Sequence, residues 1–244
     1  MIAIISSNAK QPSQAFADSP RQNGEDNLQW LSRNMPPDDG NAVCVMVGGT
    51  DPLSFRLRVA QSHVRHDMMP SHWSHVMLLD KVTKGVGSTV VHEISLSPAN
   101  GFGFPPPTNG VQKGRLKAYR DAVLYPNVAV LKIPVALKGV VEALSRFDVQ
   151  RAVLDSVELT VHWLAYLWGV ANSPNPLFQR LGIPSAAMLE VVVGATGYDI
   201  TPGLESRSSC PEAIWQAAKW WYLYYGEQNR TELSGAYNVG HRLE

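Results

Sequence analysis

A cysteine stands where a helix is predicted to begin, in the segment Ser208-Ser209-Cys210-Pro211-Glu212-Ala213-Ile214-Trp215. Pro211 suits the first turn of a helix, and Ser209 with Glu212 has the spacing of a capping box ahead of an apolar run. The unpaired amides and the dipole of a helix N-terminus favour thiolate over thiol. Cys210 is therefore a candidate nucleophile, provided that a base lies close to it.

His75 is the candidate base, because it opens a strand-like run that continues as Val76-Met77-Leu78-Leu79. A thiol is mostly protonated near neutral pH, so the imidazole would take its proton and form an ion pair that keeps the sulfur nucleophilic. We expect Cys210 Sγ to lie within hydrogen-bond reach of His75. We also expect the pKa of Cys210 to lie below the ~8.5 of a free cysteine.

The elements that must position these residues are predicted from the periodicity of the apolar residues. Four strand-like runs indicate a small, largely antiparallel sheet: residues 42–47, 74–79, 89–95 and 128–133. A helical pattern follows from residue 135 to 172 with a break near Asp148, and the last helix runs from Cys210 to about Tyr225. The chain is predicted to be an α+β domain over residues 42–244, preceded by an N-terminal arm of residues 1–41.

Composition excludes several classes of function. Lysine plus arginine and aspartate plus glutamate both number 21, so no basic excess points to nucleic acid or to an anionic membrane. Two cysteines are too few for a disulfide scaffold, and we expect both thiols to be free, with Cys44 buried in a strand. No stretch has the length of a membrane span, and the N-terminal apolar patch is too short for a classical signal peptide.

The two motifs resemble those of the circularly permuted papain-like hydrolases, the NlpC-type family that includes the YiiX-like proteins. Ser74-His75-Val76 is similar to the histidine strand of that family, and Cys210-Pro211-Glu212-Ala213-Ile214-Trp215 to its Cys-x-Glu-x-aliphatic-aromatic helix start. The histidine precedes the cysteine, which is the permuted order. The resemblance covers residues 42–133 and 205–225 and implies a sheet packed against helices, with residues 135–204 as a helical insertion.

The resemblance also implies the third member of a catalytic triad. Val90-Val91-His92-Glu93 is similar to the next strand of the family, which supplies a polar residue that orients the histidine. Side chains alternate across a strand, so one of the two polar neighbours should face the cysteine. The family pattern favours Glu93, with His92 as the alternative. The backbone amide of Cys210 would donate to the oxyanion.

The function implied by the resemblance is that of a cysteine hydrolase that cleaves an amide bond, without cofactor or metal. A peptidoglycan peptide is the leading substrate, which would make the protein a cell-wall amidase or endopeptidase. A protein made in the cytoplasm without a classical signal peptide would then need another route to the wall. Delivery to a target-cell periplasm by a contractile, type VI secretion system, as an antibacterial effector with a cognate immunity protein, would supply that route.

Three alternatives stay open. One is acyl transfer or lipid ester cleavage in the same fold, as in relatives of lecithin retinol acyltransferase, whose Asn-Cys-Glu-His motif differs from Ser209-Cys210-Pro211-Glu212. Another is a binding module that keeps the fold without catalysis. The third is a transition-metal site made from clustered imidazoles and a carboxylate: His63, His66, His72, His75 and Asp67. No His-Glu-x-x-His pattern supports this third alternative, and Pro70 interrupts the segment.

Overall fold

The computed structural model describes residues 16–81, 85–97, 108–225 and 233–243, and they form an α+β fold. Its strands are β1 (Ala17–Asp18), β2 (Asn41–Gly48), β3 (His75–Leu79), β4 (Val90–Glu93), β5 (Gln112–Arg115), β6 (Asn127–Ala136) and β7 (Ser234–Val239). Its α-helices are α1 (Asn27–Asn34), α2 (Pro52–Ala60), α3 (Leu137–Val149), α4 (Ser156–Leu167), α5 (Pro184–Gly194) and α6 (Pro211–Tyr225).

In the described part of the chain, the strands form one mixed sheet in the order β1-β7-β6-β2-β3-β4-β5, in which only β1 and β7 are paired in parallel. The four predicted strand runs correspond to β6, β2, β3 and β4, which are neighbours at the centre of the sheet. The outer strands were not predicted. They lack an apolar run, since β1 has two residues and β5 reads Gln-Lys-Gly-Arg.

The central sheet has a core on each face. Val76 and Leu78 of β3 lie in a cluster with the apolar side chains of α3, α5 and α6. Met77 and Leu79 lie in a second cluster, with Trp30 of α1. Because side chains alternate along a strand, His75 belongs to the α1 face of the sheet. This alternation decides which polar side chains of β4 can reach it.

The described part of the predicted N-terminal arm is packed onto the fold. Asp26 and Gln29 form a capping box at the start of α1. Trp30 is fully buried, and its indole nitrogen donates to the Ser19 carbonyl at 2.7 Å. Residues 16–41 are therefore packed against the rest of the fold, because apolar side chains of α1 cover one face of the sheet. Residues 1–15 lie outside the described residues.

The helices between β6 and α6 agree with the predicted helical region. α3 ends at Val149 and α4 begins at Ser156, so the interruption lies next to the predicted break near Asp148. Within the described ranges, one stretch, Val170–Gly194, is long and apolar enough to cross a membrane by length and composition, but 67% of its 18-residue apolar window is buried in the protein. Only its last 11 residues form α5. A core helix of this kind is consistent with the predicted lack of an integral membrane segment.

Both cysteines are free, as predicted. Cys44 lies on β2 and is fully buried, and burial raises the pKa of its thiol to about 12. A thiol in this environment packs as a small apolar side chain and is chemically inert.

Glu190 is a buried carboxyl group on α5, with 3% of its surface exposed. Its Oε1 accepts hydrogen bonds from Thr201 Oγ1 at 2.9 Å and from Ser209 Oγ at 3.3 Å. Burial, with a smaller contribution from the Asp199 carboxylate, raises the pKa of Glu190 from 4.5 to about 7. The folded protein therefore binds a proton at Glu190 more tightly than the unfolded chain does.

The stability of the protein is expected to fall as the pH rises from about 4.5 to about 7, because only the folded state retains the Glu190 proton in this range. Between pH 5 and pH 8 this linkage lowers the free energy of unfolding by about 2 kcal/mol. Urea unfolding of the wild type and of Glu190→Gln, each at pH 5 and at pH 8, measures this change in the free energy of unfolding. Equal pH dependence in the two proteins would contradict the prediction.

Candidate active site

His75 and Glu93 form a hydrogen-bonded pair at the edge of the central sheet. His75 is the first residue of β3 and Glu93 the last of β4, and both side chains lie on the α1 face. Glu93 Oε2 lies 2.6 Å from His75 Nε2. The side chain of Glu93 is about nine-tenths buried. The structure therefore brings together two of the three residues that the sequence predicted for the triad.

Tyr119 completes this group and was not predicted from the sequence. Its hydroxyl donates to Glu93 Oε2 at 2.5 Å, and its ring stacks on His75 with the centroids 6.0 Å apart and the planes 18° from parallel. Tyr119 ends a 3-10 turn that follows β5. No motif marks it in the sequence, because its role depends on how β5 pairs with β4.

The protonation of the pair follows from the environment of the carboxylate. Burial alone would raise the pKa of Glu93, but the hydrogen bonds from His75 and Tyr119 outweigh it and lower the pKa below its ordinary value. Glu93 is therefore ionised and accepts, so the proton of the contact lies on His75 Nε2. The imidazole Nδ1 is left as the nitrogen that can accept a proton, because no described residue forms a hydrogen bond with it.

A cavity of about 310 Å³ lies beside the pair. Its polar lining comes from the side chains of Asp51, Ser54, Ser74, His75, Ser95, Ser97, Tyr119 and Tyr125. Its apolar wall includes Leu57, Leu96 and Ile183. A partly apolar concavity with a few converging polar groups is the usual form of a small-molecule site.

Cys210 immediately precedes α6, and Pro211 is the first residue of that helix, as predicted. The helix-start amides of Ala213 and Glu212 lower the pKa of the thiol, as the start of a helix should. The preceding segment is held by Ile183, whose amide donates to the Ser209 carbonyl at 2.9 Å. A Cβ at position 182 would lie 2.3 Å from that carbonyl oxygen, so only Gly182 permits this close approach.

The thiol is separated from the His75 cavity. Cys210 is 1% exposed and packs in a cluster with Leu57, Leu96 and Ile183, the residues of the apolar cavity wall. No hydrogen bond joins Cys210 Sγ to His75 among the described residues. The predicted contact is therefore not formed in this conformation, in which Cys210 is buried in an apolar cluster.

The expectation of a lowered Cys210 pKa is wrong for this conformation. Burial raises the pKa of the thiol to about 12, and the carboxylates of Glu212 and Glu190 add to the shift. The two amide donors of the helix start act in the opposite direction but are outweighed. The sequence indicated the helix start correctly and could not indicate the burial.

Cys210 also borders a second cavity, of about 400 Å³. His63 and Glu205 line it as well, together with Arg180 and Ser208. The ring of His63 packs against Phe178 at a centroid distance of 4.7 Å. The thiol therefore shares a cavity with a histidine other than the one that the sequence predicted.

The predicted capping box of α6 is replaced by contacts from other elements. Ser209 Oγ donates to Glu190, so it does not cap the helix. Instead, Gln61 Oε1 accepts from the Glu212 amide at 2.9 Å. The Glu212 carboxylate is fully buried and accepts from Ser71 Oγ at 2.6 Å. The Glu212 position thus anchors α6 to the segment that leads into β3.

The remaining histidines do not form a metal site. His92 lies on the opposite face of the sheet from His75, and its Nε2 is 3.6 Å from Asp80 Oδ2. His72 is half-buried, and burial lowers its pKa to about 4. In the described part of the chain, no group of three or more histidine, cysteine or acidic side chains could hold a metal ion. The histidine-cluster alternative therefore has no geometric support.

Comparison with protein-family models, with curated proteins and with solved structures yields no match. The geometry of the site is therefore the basis for assigning a function.

For the hydrolase function that the motifs imply, Glu93→Ala is expected to lower amide cleavage by about 10- to 100-fold, because the residue orients an imidazole and does not touch the reacting atoms. Tyr119→Phe removes one hydrogen bond to the same carboxylate, and we expect a loss of about 10-fold or less with a changed pH profile. Initial rates of the variants from pH 5 to 9 measure both effects. His92→Ala is the control from the other face of the sheet, and a loss larger than that of Glu93→Ala would contradict the assignment.

Proposed function

We propose that this protein is a circularly permuted papain-like cysteine hydrolase that cleaves an amide bond, with Cys210 as nucleophile and His75 as base. The hydrogen bond between His75 and Glu93, in the lining of a cavity, is the observation that carries the proposal. It leaves Nδ1 of the imidazole as a proton acceptor. Support for the nucleophile comes from the position of Cys210 at the start of α6.

The chemistry assigns one role to each residue. His75 Nδ1 takes the thiol proton, and Cys210 Sγ attacks the carbonyl carbon of the substrate. The backbone amide of Cys210 donates to the oxyanion. The C–N bond then breaks as His75 returns the proton to the leaving amine, and water hydrolyses the thioester to release the acid and the free thiol. Glu93 stabilises the imidazolium throughout.

This mechanism requires a conformational step, since Cys210 is buried in a cluster with Leu57, Leu96 and Ile183 and does not line the cavity beside His75. Substrate binding would displace these apolar side chains and bring Cys210 Sγ to His75. Closed sites that assemble on substrate binding are common among enzymes that must exclude water or wrong substrates. The observed conformation is then the resting state.

The proposed substrate is a peptidoglycan peptide, and the proposed setting is that of an antibacterial effector delivered by a contractile secretion system and neutralised by an immunity protein. These assignments rest on the resemblance of the motifs around His75 and Cys210 to the permuted NlpC-type enzymes. Acyl transfer or lipid ester cleavage is the alternative within the same fold. It would use the same nucleophile and base.

A binding module is the second candidate function. The observation that favours it is the buried Cys210 thiol, which has 1% exposure, a raised pKa and no contact with His75 in the described part of the chain. In this case the cavity beside His75 would bind a ligand without turnover.

Incubation with purified peptidoglycan, followed by mass spectrometry of the released fragments, tests the proposed function. We expect fragments that gain one water and carry a new amine and a new carboxylate. Phosphatidylcholine vesicles in a parallel assay identify lipid ester cleavage. If neither substrate releases a product, the result favours the binding module.

The nucleophile is tested with a matched control from the His75 cavity. Ser54 is a buried hydroxyl residue that lines this cavity, whereas Cys210 does not line it. We expect Ser54→Ala to retain activity and Cys210→Ala to lose it. The reverse result would overturn the cysteine mechanism and assign a serine nucleophile to the same histidine.

A further inference from the structure

A cavity of about 500 Å³ lies between α3 and α5, apart from the His75 site. Phe147, Val153 and Val191 supply apolar lining, and Arg146, Gln150 and Glu190 supply polar lining. This volume falls in the range of small-molecule sites. The mechanism proposed above uses none of these side chains.

Glu190 is the unusual member of this lining, because it is the only charged residue of α5 and is 3% exposed. Both of its hydroxyl donors, Thr201 and Ser209, bond to Oε1. No residue in the described ranges donates to Oε2. Oε2 can therefore accept a hydrogen bond from a ligand in the cavity, and such a bond is stronger when the donor is charged.

Arg146 supplies the opposite charge on α3. Arg146 is exposed, and it lines the cavity together with Phe147 and Gln150. A ligand with a single positive charge would be attracted by Glu190 but repelled by Arg146. A zwitterion complements both groups, since an ammonium donates to the carboxylate and a carboxylate accepts from the guanidinium.

We propose that this cavity binds an amino acid with an apolar side chain, its ammonium group at Glu190, its carboxylate at Arg146 and its side chain against Phe147, Val153 and Val191. The assignment uses the charge and the chemistry of the lining only. It is independent of the proposed hydrolase activity.

The proposal is tested at pH 8, where Glu190 is ionised, by isothermal titration calorimetry with L-leucine, L-valine and L-phenylalanine. Saturable binding of at least one of them to the wild type is expected. The matched probes are 4-methylpentanoate, which is leucine without its ammonium group, and 3-methylbutylamine, which lacks the carboxylate. Each should bind at least about 10-fold more weakly than leucine. Equal affinity of either probe would overturn the assigned polar contacts.

Substitutions in the cavity lining test whether the amino acids bind there. Glu190→Gln keeps the size of the side chain and should weaken amino-acid binding by about 10-fold or more, and Arg146→Gln by a smaller factor. Ala195 lines the cavity from an exposed position, so Ala195→Trp should block binding with Glu190 intact. Circular dichroism verifies that each variant is folded.

Cys210→Ala, which removes the proposed nucleophile, should bind the amino acids as the wild type does. The amino-acid test therefore remains valid even when the hydrolase assignment fails. Absence of binding of all three amino acids at tens of millimolar, or unchanged binding in both Glu190→Gln and Ala195→Trp, would overturn the proposal.

Discussion

The Cys210→Ala variant is expected to lose amide-cleaving activity by about three orders of magnitude or more, and His75→Ala by a similar factor. The two residues act as one unit, because the imidazole has no role without the thiol proton and the thiol is a weak nucleophile without the base. The double variant should therefore be no less active than either single variant. Single-turnover rates with a peptidoglycan fragment measure the activity of the two single variants and of the double variant.

Cys44→Ala is the matched control for this experiment. Cys44 is also a fully buried free thiol, but it lies in the sheet core and borders neither the His75 cavity nor the second cavity next to Cys210. We expect it to cost about 1 kcal/mol of stability through the lost packing and to leave turnover unchanged. Turnover near the wild-type value in either Cys210→Ala or His75→Ala would contradict the proposed mechanism.

Alkylation of Cys210 by iodoacetamide in the ligand-free protein is expected to be at least ~100-fold slower than that of a free cysteine peptide. The thiolate is the reactive form, and burial of the side chain raises the pKa of Cys210 to about 12. Its 1% exposure also restricts access of the reagent. Mass spectrometry of tryptic peptides over a time course measures the labelling of each cysteine.

Addition of a substrate fragment separates the two candidate functions in the same experiment. Opening of the wall formed by Leu57, Leu96 and Ile183 would accelerate labelling of Cys210 and leave Cys44 unlabelled. A binding module would show no acceleration. Rapid labelling of Cys210 in the free protein at mildly acidic pH would contradict the closed conformation described above.

The central strands and the start of α6 could be predicted because short-range patterns encode them. Residues 42–47 form a continuous apolar run, which is typical of a strand buried on both faces, and β2 is buried from Ala42 to Gly48. Pro211 correctly indicated the first turn of α6. The outer strands β1 and β7 could not be predicted in this way, because they are defined by their pairing across more than 200 residues of chain.

The pairing of His75 with Glu93 was predicted from a resemblance between motifs, and the alternation of side chains along β4 provides its physical basis. Glu93 and Val91 lie on the face that carries His75, so His92 points away from it. Tyr119 could not be found by the same reasoning. It reaches Glu93 only because the turn after β5 folds back over the end of β4.

The sequence by itself determined the α+β class, the central strands, the helix start at Cys210 and the strand positions of His75 and Glu93, because each depends on local periodicity and turn chemistry. Only the tertiary structure decided the state of the thiol. Leu57, Leu96 and Ile183 come from three distant segments and meet over Cys210. The desolvation that they impose exceeds the stabilisation of the thiolate by the helix start, so the pKa of Cys210 rises where the local sequence alone predicts a fall.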